Sequence, residues 1–126
     1  HAVVMAEAQA VGDALAALPS DDMAGAVRRW FAVMDQPGRV RILLIDGPAV
    51  LGVEEMARID AATGAAELGQ GLAETLPGIA PAQLAALTEI LSASFDRAAL
   101  RIASGAAAGP YVDAILGLIE GLRPPG

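Results

Sequence analysis

The stretch RVRILLIDGPAVLG, from Arg39 to Gly52, decides the fold. A basic start leads into a dense apolar run and then into Asp-Gly-Pro. Taken alone, Val40 to Asp46 suits a buried strand feeding a Gly-Pro turn, as in an α/β enzyme. Taken with its neighbours it is a helix, a sharp corner and a second helix. No second β-like run appears in the chain, and a lone strand cannot satisfy its own backbone donors and acceptors. Arg39 to Asp46 therefore reads as about two turns of helix, with Pro37 well placed as a first helical residue after the Gln36-Pro37-Gly38 break. Gly47 and Pro48 form the expected corner. Glycine permits a left-handed residue just past a helix end, and proline presets the first turn of the next helix.

Upstream, Val4, Ala8, Val11, Leu15 and Leu18 recur at alternating spacings of four and three, one helical face, until Pro19 ends the run. Ser20 supplies an N-cap oxygen, and Asp21 and Asp22 place negative charge where it complements the dipole of the next helix. Met23, Val27, Trp30, Phe31 and Met34 follow at helical spacing, carrying the only tryptophan and one of the two phenylalanines. Each large ring can bury about 150 to 250 Å². This face anchors a core, lines an apolar cavity, or does both.

Downstream, a helix is expected from Pro48 through Ile59 towards Leu76, with a weak point at Gly64. Glu54 and Glu55 sit four and three residues ahead of Arg58, spacings that pair side chains on a wet face. Pro77-Gly78-Ile79-Ala80-Pro81 is the clearest break, and the longest helix runs from Pro81 to about Ala106. Leu84, Leu87, Leu91, Ser94, Phe95, Ala98 and Ile102 form a nearly heptad stripe along it, with Glu89, Ser92 and Asp96 on the opposite side. Gly109 and Pro110 open a last helix that is apolar almost all round. One subunit can cover only part of such a helix, so a partner chain is implied. The last two helices of two subunits would make a four-helix bundle about a two-fold axis, where Gly117 and Gly121 let backbones approach or simply weaken a helix end. The expectation is an all-α, antiparallel bundle of about six helices, a single domain over residues 1–126 in which 1–76 bind a ligand and 81–122 dimerise.

Composition excludes several function classes. The net charge is −7 and the basic residues number eight, all arginine, so this chain does not itself grip phosphate backbones. Neither a membrane span nor a signal peptide is legible. The absence of cysteine removes thiol nucleophiles and thiolate metal sites and fits a reducing cytoplasm. Hydrophobic residues reach 55% and aromatic ones only 3%, an apolar excess that again points to burial against another chain. No catalytic site, metal site or cofactor is expected. The only histidine is His1, lysine is absent, no serine lies in a Gly-x-Ser-x-Gly elbow, and the adjacent pairs Asp21/Asp22 and Glu54/Glu55 diverge around a helix.

Val40 to Gly52, and ILLIDGPAVLG within it, resembles the helix-corner-helix segment common in one large branch of the TetR-family transcriptional regulators. The resemblance extends less specifically through Glu54 to Leu72 and the order of the remaining helices. The chain departs from that branch at Val53 and Met56, where aromatic residues are common. The resemblance implies a cytoplasmic homodimer whose C-terminal part binds a small hydrophobic effector, while an N-terminal helix-turn-helix domain reads operator DNA. No such reader is legible in these residues, and it is expected upstream of His1. Ligand binding would change the spacing of two DNA readers about 34 Å apart.

For a pocket inside the subunit, Met5, Trp30, Phe31, Met34, Leu43 and Met56 are the expected walls, with Gln9 and Ser94 orienting the ligand. For the dimer interface the expected residues are Leu84, Leu87, Leu91, Phe95, Ala98, Ile102, Val112, Ile115 and Ile119. Two readings of different class stand: an effector-binding and dimerisation domain of a transcriptional regulator, and a structural or protein-interaction bundle without ligand.

Overall fold

Proline and glycine punctuate the chain into helices, and the computed structural model, which describes residues 1–19 and 21–124, shows where each one acts. The elements are α1 (Ala2–Ala16), α2 (Met23–Met34), a π-helical turn (Arg41–Asp46), α3 (Gly47–Leu51), α4 (Val53–Ala62), α5 (Gly64–Thr75), α6 (Pro81–Ala103) and α7 (Ala108–Gly121). No strand occurs among the described residues. The fold is an all-α bundle.

The N-cap of α2 is Asp22, whose Oδ1 accepts the Gly25 backbone N–H at 2.9 Å. The expected Ser20 cap lies outside the described residues. Pro81 opens α6 as a first-turn residue, where its missing N–H leaves no bond unmade.

The decisive stretch is helical, but its corner lies later than Gly47-Pro48. Gly47 is right-handed, with φ −57° and ψ −54°, and the chain turns instead at Gly52, with φ +86°. Proline explains the shift. Pro48 cannot donate a hydrogen bond, and inside a regular α-helix its ring would crowd the carbonyl of Leu44. The preceding turn widens, and Gly47 donates its N–H to the Ile42 carbonyl five residues back. Gly47 is needed for space rather than for a left-handed φ: a β-carbon there would lie 2.6 Å from the Ile42 carbonyl oxygen and 3.3 Å from Met56 Sδ. Arg39, at the head of the stretch, ties the turn down. Its Nε donates to Glu7 Oε2 of α1 at 2.7 Å and its Nη1 to the Val33 carbonyl of α2 at 2.8 Å.

The break between α4 and α5 falls at Thr63, one residue before Gly64. Thr63 is buried and its hydroxyl donates to the Ile59 carbonyl at 2.8 Å. Of the two acidic residues ahead of Arg58, Glu55 makes the ion pair.

Helix α1 packs on α2, the π-helical turn, α4 and α5, while α6 packs on α5 and α7. Two hydrophobic clusters result. One joins α1 to α2, the π-helical turn and α4 through Val4, Val11, Leu15, Met34, Leu43 and Ile59; the other joins α2, α5, α6 and α7 through Val27, Leu72, Leu91, Phe95, Ile115 and Ile119. Trp30 packs against both.

The stripe on α6 is covered largely from within the subunit. Leu91, Phe95, Ala98, Ile115 and Ile119 belong to the subunit's own core, and Leu84, Leu87 and Val112 pack at its margin. Ile102 is half-buried. The large apolar side chains left open on α6 and α7 are instead Ile90, Leu118 and, just past the end of α7, Leu122, at 63%, 59% and 39% exposure.

Candidate functional site

A cavity of about 500 Å³ lies among α1, α2, the π-helical turn, α4 and α6. Each element presents the residues its period dictates. Helix α1 gives Ala8 and Val11, small enough to leave room; α2 gives Trp30 and Met34; the π-helical turn gives Leu43 and Leu44; α4 gives Met56, Ala57 and Asp60; α6 gives Thr88, Glu89, Ser92 and Asp96. A smaller chamber of about 60 Å³, walled by Leu15, Leu18, Met23, Val27, Leu68 and Phe95, adjoins it. Both chambers share Trp30, Asp60, Gly64, Ala65, Ser92 and Asp96. The larger one falls in the range of about 300 to 1,000 Å³ usual for small-molecule sites, apolar with a few polar groups.

Aromatic contacts fix the wall. Trp30 meets Phe31 edge-on with ring centroids 5.0 Å apart and meets Phe95 at the same separation, 62° between planes. The indole is thus held between α2 and α6 while bordering both chambers.

Burial shapes the polar side. It pushes the Asp96 carboxyl up to about 7, with the negative charge of Asp60 adding to the rise. Asp60 is also raised by burial, partly offset by a hydrogen bond from the Ala65 backbone N–H. Asp60 still has substantial accessible surface. A concave wall reconciles the two: the side chain borders open space but is surrounded by enough protein to lose much of its hydration. Among the described residues neither aspartate forms an ion pair.

Of the expected ligand-binding residues, Trp30, Met34, Leu43 and Met56 meet in the lining of the larger chamber. Met5 packs against the α1 cluster and Phe31 against the other, both behind the lining. Gln9 is exposed, its amide donating to Asp13 Oδ1 at 2.9 Å, and the Ser94 hydroxyl donates to the Ile90 carbonyl at 3.0 Å. The polar groups that do line the cavity, Asp60, Thr63, Thr88, Glu89, Ser92 and Asp96, are not among those the sequence marks for it. A signal exists in the spacing of three and four among Glu89, Ser92 and Asp96, which puts them on one face of α6. Among the described residues no group of three or more histidine, cysteine or acidic side chains is placed to hold a metal ion, and no helix is long and apolar enough to cross a membrane.

Residues 20–122 match the family described as "Tetracyclin repressor-like, C-terminal domain". No curated protein and no solved structure matches the chain.

Proposed function

Because the chain belongs to the tetracyclin repressor-like C-terminal domain family, we propose that it is the ligand-sensing and dimerisation domain of a transcriptional regulator. The half-open cavity of about 500 Å³ walled by Trp30, Met34, Leu43 and Met56 carries this reading, since its size and its apolar wall with a few polar groups suit a small-molecule ligand. Ala8 and Val11 bring α1 into the lining, so a ligand that favours one placement of α1 over another can pass its binding energy to a DNA reader joined to that end. Operator contact belongs to a helix-turn-helix domain outside these residues. Pairing of two subunits uses α6 and α7, with Ile90, Leu118 and Leu122 as the open apolar side chains that a second copy would cover.

Thermal shift against a panel of hydrophobic drugs, acyl compounds and dyes tests the reading. A ligand at 100 times its dissociation constant adds about 2.7 kcal/mol to stability, enough for a clear rise in Tm. Absence of any stabilising compound favours the alternative, a ligand-free interaction bundle.

A further inference from the structure

The charged groups bordering the two chambers all have one sign. Asp60 on α4, Glu67 on α5 and Glu89 and Asp96 on α6 line them; no arginine does, and neither does His1. The arginines that form ion pairs do so elsewhere, with Glu7, Asp46, Glu55 and Glu120. Asp96 makes neither a hydrogen bond nor an ion pair among the described residues, though it borders both chambers. A desolvated carboxylate without a partner is unfavourable, and a cation brought into the cavity removes that penalty. The face of an indole beside it adds attraction for the same sign of charge. Trp30 borders the space that both aspartates border.

We propose that the cavity selects a lipophilic organic monocation, such as a quaternary ammonium, a phosphonium or a protonated amine carrying aromatic or alkyl groups, with Asp60 and Asp96 as its counter-ions and Trp30 as its cation–π wall. The proposal rests on the reading of the cavity as an effector site and deepens it. A metal ion is the poorer occupant, because no set of three donors is placed to hold one among the described residues. An anionic effector, including a fatty carboxylate, meets four acidic side chains and no base. Burial and the repulsion between Asp60 and Asp96 keep part of a proton on the pair near neutrality. Binding of a cation therefore releases protons, and affinity for it rises with pH as the pair ionises.

Tetraphenylphosphonium and tetraphenylborate, tetraphenyl ions of nearly equal size and opposite charge, separate charge from greasiness, with the smaller, neutral triphenylphosphine oxide as the uncharged probe. The readout is fluorescence of the chain's only tryptophan, Trp30, in the full chain, with affinities confirmed by calorimetry. The expected result is that the phosphonium binds at least about tenfold more tightly than the neutral oxide, that the borate binds more weakly than either, and that only the phosphonium gains affinity between about pH 5 and pH 8. In Asp60→Asn/Asp96→Asn the preference for the phosphonium over the borate falls towards unity, and circular dichroism verifies that the variant is folded. Equal or tighter binding of the oxide or the borate overturns the charge assignment and leaves the effector-site reading standing. Failure of all three probes overturns the charge assignment as well, and the compound panel then decides separately whether the cavity binds anything. A preference that survives in the double variant overturns the role of the aspartates.

Discussion

Trp30 and Phe95 meet with ring centroids 5.0 Å apart and 62° between their planes, joining α2 to α6 at the point where the two chambers meet. Trp30 also packs against both hydrophobic clusters. Truncation there removes a wall shared by core and cavity. Trp30→Ala is expected to lower stability by about 3 kcal/mol, whereas Trp30→Phe keeps most of the packing. Chemical denaturation followed by circular dichroism measures both.

Gly47 tests the account of the widened turn. A β-carbon at this position would press on the Ile42 carbonyl oxygen at 2.6 Å, and backbone cannot yield as a flexible side chain can. Gly47→Ala is expected to destabilise by about 1 to 3 kcal/mol despite alanine's better helix propensity. Gly64→Ala, whose new methyl would meet only Asp60 Oδ1 at 3.5 Å, is the control and is expected to change stability by less. Thermal melts of the two variants decide the matter.

The last helix carries two kinds of apolar residue. Ile119 is 3% exposed and Leu118, its neighbour, 59%. Ile119→Ala is expected to weaken the subunit fold by about 2 to 4 kcal/mol, the usual loss for a buried aliphatic side chain. Leu118→Arg, with Ile90→Arg, is expected to leave the helical spectrum intact and shift the sedimentation coefficient from dimer to monomer.

These contrasts mark what the amino-acid pattern discloses. That Ile42 to Ile45 is helical follows from the lack of any partner strand. The stripe on α6 is equally plain, but periodicity reports that a face is covered and not by what; α5, α7 and the rings of α2 cover Leu91 and Phe95 before any second chain can. Glu89, Ser92 and Asp96 stand apart from that stripe in the sequence, yet a polar face looks the same whether it borders bulk water or a cavity, and only the placement of α4 opposite α6 distinguishes the two. The corner falls at Gly52 instead of Gly47 because a proline within a helix can be absorbed by a wider turn as well as by a chain reversal. Trp30, Met34, Leu43 and Met56 converge as bulky apolar residues on separate helices can, whereas Gln9 and Ser94 find hydrogen-bond partners within their own helices.

The acidic pair makes stability depend on pH in a direction opposite to most carboxylates. The folded-state Asp96 carboxyl titrates at about 7, against 3.8 without the fold, so the native state holds more protons between those limits. Its contribution is therefore full below about pH 4 and is lost as pH rises through 7, where every tenfold difference in proton affinity between folded and unfolded chain corresponds to about 1.4 kcal/mol at most. Asp60, Glu67 and Glu89 are the other charged groups bordering the chambers, and none of them is basic. Relative to the natural chain, Asp96→Asn is expected to gain stability at about pH 8 and to gain little at about pH 4. Denaturant titrations at the two pH values supply the comparison.

The most direct test of the cavity is a two-dimensional amide NMR titration of the isotope-labelled chain with the most stabilising compound from the panel. Saturable shifts centred on Asp60, Gly64, Ser92 and Asp96, with α1 following at Ala8 and Val11, are the expected result. Shifts confined to α7 and the open side chains Ile90 and Leu118, with the residues between α4 and α6 unmoved, would contradict it.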